Sequence, residues 1–360
     1  MILASLAAFA VVPSGALGAP PAKGALIAID LRSGKERWRA TTPGAFALYD
    51  VSESTVVGRG FDCETSDFRT IAFETSGGKR RWQRPAAPDN APHGSDTLAT
   101  GSTRTAIALS LASKRLAGID ASTGRERWSV RFTSNTFVET NATVVVAGGS
   151  EGTYPNDHGV LRARDRASGK ELWTMTDAAT NRLAVAYADD TSIVAAFNSA
   201  DGRSVEARVL DPRTGQLRWT TTLGETVPAG SVVVARQSNP ASIHAFDAKT
   251  GDELWSRPGS AAIVPIGKRL TLRDGGGTIT VVNARTGDVR WTLPETRWLV
   301  GDAHTMAIVD QRSRLVTVVD PDTGAARGKP ISLPNRYEVV HSVVVAGNTL
   351  YASLGCQSYD

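Results

Sequence analysis

The sequence predicts an all-β protein: an eight-bladed β-propeller of four-stranded antiparallel blades, its ring closed by N- and C-terminal strands that share one blade. Three observations predict it. One ten-residue stretch recurs eight times, the segments between copies read as pairs of short strands, and the copies are spaced by about one blade's length. From Ala25 onward no helical periodicity competes with this pattern.

The stretch is first met as IDLRSGKERW, ending at Trp38. It returns as FETSGGKRRW at Trp82, IDASTGRERW at Trp128, RDRASGKELW at Trp173, LDPRTGQLRW at Trp219, FDAKTGDELW at Trp255 and VNARTGDVRW at Trp291. An eighth copy, VDPDTGAARG, keeps the turn but has Gly328 at the tryptophan position. That junction is therefore expected to be the weakest in the ring, and a tryptophan at 328 is expected to strengthen it.

Each copy is expected to be a hairpin corner. Asp30, Asp120, Asp165, Asp211, Asp247 and Asp320 can accept bonds from backbone N–H groups two or three residues on, closing an Asx-turn; Glu74 and Asn283 stand in for Asp. The corner glycine (Gly34, Gly78, Gly124, Gly169, Gly215, Gly251, Gly287, Gly324) supplies the positive φ that the turn needs. Four residues later the tryptophan lies on the next strand, where it can bury a large apolar area between sheets. The pattern is structural and carries no chemistry of its own.

Between corners lies another strand pair, clearest at Leu183–Ala188 and Ser192–Phe197 around Asp189-Asp190. Likewise Arg269–Arg273 and Thr278–Val282 flank Asp274–Gly277 and join a middle strand to the corner strand. Successive corner glycines are 44, 46, 45, 46, 36, 36 and 37 residues apart, a mean of about 41. Eight such units need about 330 residues, and Gly24 to Cys356 offers 333. The first corner has no strand pair before it, while Glu338–Val345 and Thr349–Leu354 follow the last as orphans; together they complete one blade. Residues 24–356 are thus expected to be a single propeller, with 357–360 a tail. The longer spacings of the first half put its main loops at Asp62–Asp67, Ala86–Asp96 and Gly148–Gly159, where a binding surface is expected.

Residues 1–23 begin with the apolar run MILASLAAFAVV, too short to span a bilayer comfortably, followed by small residues and a Pro-rich spacer. This reads as the h-region and cleavage site of a signal peptide, or as the remnant of a membrane anchor; the basic n-region is missing, and no cysteine ends the segment as a lipoprotein would require. The expectation is an exported, monomeric protein, secreted or associated with the cell envelope. In that setting Cys63 and Cys356, each following the second strand of blades that ring closure makes neighbours, are a disulfide candidate.

No motif in the sequence assembles a catalytic or metal-binding constellation. A net charge of +4, with much of the Lys and Arg at hairpin corners, gives no basic stripe with interleaved aromatics, so nucleic acid is not expected as a partner. Gly148-Gly149-Ser150-Glu151-Gly152 matches G-x-S-x-G, but in a loop between blade strands rather than at a strand-to-helix turn. His93, His158, His244, His304 and His341 have no metal-ligand spacing. Asp320-x-Asp322 begins like a calcium loop without its distal Glu. Asn141-Ala142-Thr143 is a glycosylation sequon wherever that machinery exists. Trp298, outside the repeat and just before an inner strand, is expected to pack in the core.

The corner, an aliphatic or Ala residue then D-x-x-[ST]-G-x-x-x-W, resembles the tryptophan-docking motif of pyrroloquinoline-quinone-type propeller repeats over Ala25 to Gly355. The resemblance implies that each tryptophan packs on the corner of an adjacent blade. Members of that superfamily divide into quinoprotein dehydrogenases and non-enzymatic relatives, which include the periplasmic scaffold lipoprotein of outer-membrane-protein assembly and extracellular sensor or interaction domains. The dehydrogenases are much longer and carry a vicinal cysteine pair over the quinone beside a calcium-ligating Glu, Asn and Asp set. The two cysteines here are 293 positions apart (356 minus 63). The resemblance therefore implies the non-enzymatic branch: an interaction scaffold or ligand-sensing domain, with a protein or small ligand as partner, no catalytic or metal residues and no cofactor. The alternatives are a degenerate quinoprotein that binds pyrroloquinoline quinone, with or without dehydrogenase activity, and the sensor part of a larger membrane protein.

Overall fold

The computed structural model describes residues 23–62, 68–85, 105–110, 115–132, 135–152, 158–177, 182–198, 205–294, 298–302, 304–310, 312–334 and 339–355. They form eight antiparallel sheets, seven of four strands and one of three. Blade 1, from the axis outward, is Val339–Ala346, Thr349–Gly355, Gly24–Asp30 and Glu36–Thr42, so the two ends of the chain close the ring as the orphan strands predict. Blade 2 is Ala45–Val51, Thr55–Phe61, Phe68–Glu74 and Arg80–Pro85. Blade 3 shows Thr105–Ser110, Arg115–Asp120 and Glu126–Arg131; residues 86–104 before it lie outside the described residues.

Blade 4 is Asn135–Thr140, Val144–Glu151, His158–Asp165 and Glu171–Thr176, and blade 5 is Arg182–Ala188, Ile193–Asn198, Val205–Leu210 and Leu217–Thr221. Blade 6 comprises Glu225–Ala229, Val232–Ser238, Ala241–Asp247 and Glu253–Pro258; blade 7 comprises Ala262–Ile266, Arg269–Arg273, Ile279–Asn283 and Val289–Leu293. Blade 8 is Trp298–Gly301, Met306–Asp310, Leu315–Val319 and a two-residue outer strand, Ile331–Ser332.

Middle strands are sandwiched by a blade on each side, so their sequences run continuously apolar instead of alternating: Val232–Ala235 is buried throughout. The core is a series of apolar layers between consecutive blades, the broadest joining blades 8 and 1 through residues such as Ile27, Val309, Val316 and Leu350. Trp298 begins the inner strand of blade 8, half-buried against that layer, as its expected packing role requires. The G-x-S-x-G match falls differently from expectation. Gly148 to Glu151 are part of a strand, not of a loop, so Ser150 sits in regular ladder pairing with Gly159 and Asn135.

Antiparallel order places every first-to-second and third-to-fourth connection on one face of the ring and the remaining connections on the other. The first face holds the corners and tight turns. Such connections as 62–67, 152–157 and 199–204 leave from the second.

Candidate functional site

The corners form as their residues dictate. In the first, Asp30 Oδ1 accepts from Arg32 N (3.1 Å) and Ser33 N (2.8 Å), Gly34 N donates to Asp30 O (2.8 Å), and Gly34 takes φ 68°. The geometry repeats at Asp120, Asp211, Asp247, Asn283 and Asp320, and Asp165 accepts from Ser168. Glu74 is one methylene longer and pairs with Arg81 at 3.7 Å. The six corner aspartates are all held below the ordinary carboxylate range. At Asp30 and Asp247 backbone N–H groups dominate, at Asp120 and Asp165 a neighbouring serine hydroxyl, and at Asp320, pushed down to about 2, the Arg327 guanidinium. Asp322 likewise pairs with Arg269 of blade 7 at 2.7 Å, which accounts for the Asp320-x-Asp322 motif structurally.

Each tryptophan docks on the next blade. Its Nε1–H donates to the carbonyl of the residue after the corner acid: Trp38 to Thr75 (2.7 Å), Trp82 to Ala121 (2.8 Å), Trp128 to Arg166 (3.0 Å) and Trp173 to Pro212 (3.0 Å). Trp219 to Ala248 (3.3 Å), Trp255 to Ala284 (2.9 Å) and Trp291 to Pro321 (3.1 Å) complete the series. The indole lies against the corner glycine so closely that a Cβ on Gly78 would stand 2.3 Å from the Trp38 ring, and one on Gly215 2.6 Å from Trp173. The corner glycine thus answers two demands at once, positive φ and the close approach of a ring.

The eighth junction corrects the sequence expectation. Gly328 has φ 90° and open space beside it, so it does not mark an empty socket. The chain detours through Ala326–Pro330 and returns with Ile331, whose Cγ1 stands 3.2 Å from a Cβ built on Gly34. An isoleucine replaces the indole, the broad apolar layer backs it, and Asp302 Oδ2 accepts from Gly347 N of blade 1 at 2.9 Å.

Polar clamps add to this face. Asn141 Nδ2 donates to Asp189 O (2.7 Å), and Asp189 Oδ2 accepts from Gly230 N (2.6 Å), linking blades 4, 5 and 6. Asn141 is 5% exposed and its Oδ1 accepts from Val144 N, so the sequon asparagine is a structural bracket and not a presented glycan acceptor. Arg166, 1% exposed, fills a position that is otherwise mostly apolar in the repeat and donates to Thr105 O and Asn141 O. Sequence reasoning missed it because an arginine in a turn looks solvated.

Near the axis, Glu139 and Tyr187 lie on the inner strands of blades 4 and 5, and Glu225 on that of blade 6, 2.9 Å from Arg236. Burial pushes Glu139 up to about 7, and burial reinforced by Glu225 and Glu139 raises Tyr187. Among the described residues no three His, Cys, Asp or Glu converge as a metal site, and no helix is long and apolar enough to cross a membrane. Cys63, Cys356, His93 and most of the three long loops lie outside the described residues.

Fold and site together define a repeat propeller whose ring is held by tryptophans seated on the glycine corners of neighbouring blades. Three overlapping matches to the family described as outer membrane protein assembly factor BamB, over residues 4–205, 156–297 and 204–357, span nearly the whole chain, and the protein belongs to that family. No curated protein matches the sequence. Among solved structures it is similar to BamB from Moraxella catarrhalis, at 16% identity over 95% of this chain and 94% of that one, with a TM-score of 0.50. It is also similar to the computationally designed Ika8 protein (15% identity, 87% and 95% covered, TM-score 0.60). A third similarity is to quinohemoprotein alcohol dehydrogenase from Comamonas testosteroni (10% identity, 94% and 77% covered, TM-score 0.52). At these identities the structural likenesses show the fold.

Proposed function

We propose that this protein is an extracytoplasmic propeller without quinone-dependent dehydrogenase activity that presents a protein-binding surface on the face opposite its corners. Membership of a family described by an outer-membrane-protein assembly factor supports both the interaction role and the envelope location. The observation that carries the choice of face is the asymmetry of the ring. Corner carboxylates, indoles and interblade clamps occupy the first face, where they close the turns and join the blades. The connections of variable length leave from the second, and loops on a rigid scaffold are where recognition concentrates. The sequence has no vicinal cysteine pair, so the chain does not supply the quinone-covering group of the dehydrogenases.

The test is crosslinking and co-purification of the tagged chain from its native envelope, beside variants with residues 86–96 or 152–157 shortened. A near-stoichiometric partner lost from the shortened variants, and retained when Lys35 or Lys249 on the corner face is changed to Glu, supports the proposal. Recovery of the same partner from all variants overturns the choice of face. Stoichiometric uptake of pyrroloquinoline quinone with calcium revives the quinoprotein alternative and overturns this reading.

A further inference from the structure

The flank of blade 6 that faces blade 5 carries three side chains that the docking architecture does not use. Ser242 and His244 are two residues apart on the third strand and so project to the same side. Glu253 pairs with Phe246 across the outer strand, which brings its carboxylate to that side as well. Ser242 Oγ lies 2.9 Å from His244 Nε2, and His244 Nδ1 lies 3.5 Å from Glu253 Oε1. The imidazole stacks on Phe246 at an interplanar angle of 14°, and Phe246 packs against Trp219 of blade 5, which fixes the plane of the ring.

The carboxylate selects the tautomer. Nδ1 is shut off from solvent and makes no hydrogen bond of standard length, so a lone pair there would face the Glu253 anion, whereas a proton there is attracted to it. Nε2 is then the basic nitrogen. The Ser242 hydroxyl also has Gln237 Oε1 and Pro240 O within 3.3 Å, but both are longer and weaker bases than the imidazole, so its single proton points to Nε2. A hydroxyl bonded to an imidazole base is the core of an activated nucleophile, and here a carboxylate 3.5 Å from the far ring nitrogen biases that base. Ser242 is half-buried and directly follows the exposed residues Asn239–Ala241, at the face that carries the loops.

We propose that Ser242 is a nucleophile for acyl transfer from small activated esters, with His244 as its base and Glu253 as the positioning residue. The Oγ–H proton passes to His244 Nε2 as Oγ forms a bond to the acyl carbon. The bond from that carbon to the leaving alkoxy oxygen breaks, and the alkoxide takes the proton from Nε2. Water repeats the sequence on the acyl-serine and releases the acid. This activity is independent of the interaction role.

The test treats the purified full chain with an alkyl fluorophosphonate, which bonds to an activated serine oxygen through phosphorus with loss of fluoride, and maps the adduct by peptide mass spectrometry. The result expected is one adduct at Ser242, absent from Ser242→Ala and formed about 100-fold more slowly in His244→Gln at unchanged circular dichroism. Glu253→Gln is expected to alter the pH profile of labelling, with part of the wild-type profile restored by Glu253→Asp. Labelling of Ser242 no faster than in the urea-unfolded chain, or as fast in His244→Gln as in wild type, overturns the proposal.

Discussion

Ile331 stands over Gly34, its Cγ1 3.2 Å from where a Cβ on that glycine would be, in the place where the other seven corner glycines meet an indole. Isoleucine gives up the Nε1–H donor and part of the buried area, and it packs within the broad apolar layer between blades 8 and 1. Shortening the side chain should expose what it holds. Ile331→Ala is expected to destabilise the ring by about 2–4 kcal/mol, read as a lowered urea midpoint. Gly328→Trp is expected to lower stability, because φ there is 90° and the residue faces open space. A stabilised Gly328→Trp protein would show that position 328 reaches Gly34 after all.

Trp38 allows its two contributions to be separated. Its ring is buried against Gly78 and its Nε1–H satisfies Thr75 O at 2.7 Å. Trp38→Phe keeps most of the apolar area and orphans the carbonyl, an expected loss of about 1–2 kcal/mol. Trp38→Ala removes both and is expected to cost about 3–5 kcal/mol. Equal losses in denaturant titrations would mean that the hydrogen bond dominates.

Glu139 gives the stability a pH dependence of known sign. Burial raises its carboxyl from the ordinary 4.5 to about 7, so the folded state holds a proton that the unfolded chain releases. Its contribution is fully present below pH 4.5, declines as pH rises through 7, and reaches a cost of roughly 3 kcal/mol above it. Glu139→Gln, neutral throughout, should therefore be more stable than wild type at pH 8.5, with the difference shrinking below pH 5. Urea midpoints of the two proteins across that range check it.

The cysteines should be joined. Cys63 and Cys356 themselves lie outside the described residues, but the strands leading to them converge: Phe61 pairs with Ala45, and a Cβ on Gly355 would stand 3.1 Å from Ala45 N. Peptide mapping of the protein recovered from an oxidising compartment without reductant is expected to give one cross-linked pair containing both. Two freely alkylated thiols would contradict the disulfide.

Much of the fold was legible because each corner imposes demands that few residues meet: an acceptor to close the turn, a glycine for the close approach, an indole four residues on. Glycine spacing then counted the blades, and the unpaired strands at the C-terminus closed the ring. Less legible was whatever depends on register between strands. Ile331 takes over from the missing tryptophan only because the chain detours after Ala326. Arg166 looks solvated until Thr105 O and Asn141 O are seen above it. Ser242, His244 and Glu253 are an unremarkable scatter in sequence, and only the pairing of Phe246 with Glu253 assembles them.

The choice of binding face is tested most directly by photo-crosslinking in living cells from defined positions on each face. A photoreactive residue at Asn239, Ser260 or Pro294, all exposed at the face that carries the loops, should yield one discrete adduct of higher mass. The same residue at Arg32, Lys35 or Lys249 among the corners should yield none. Adducts arising from the corner positions instead would contradict the account and place the partner on the face that the tryptophan clamps hold together.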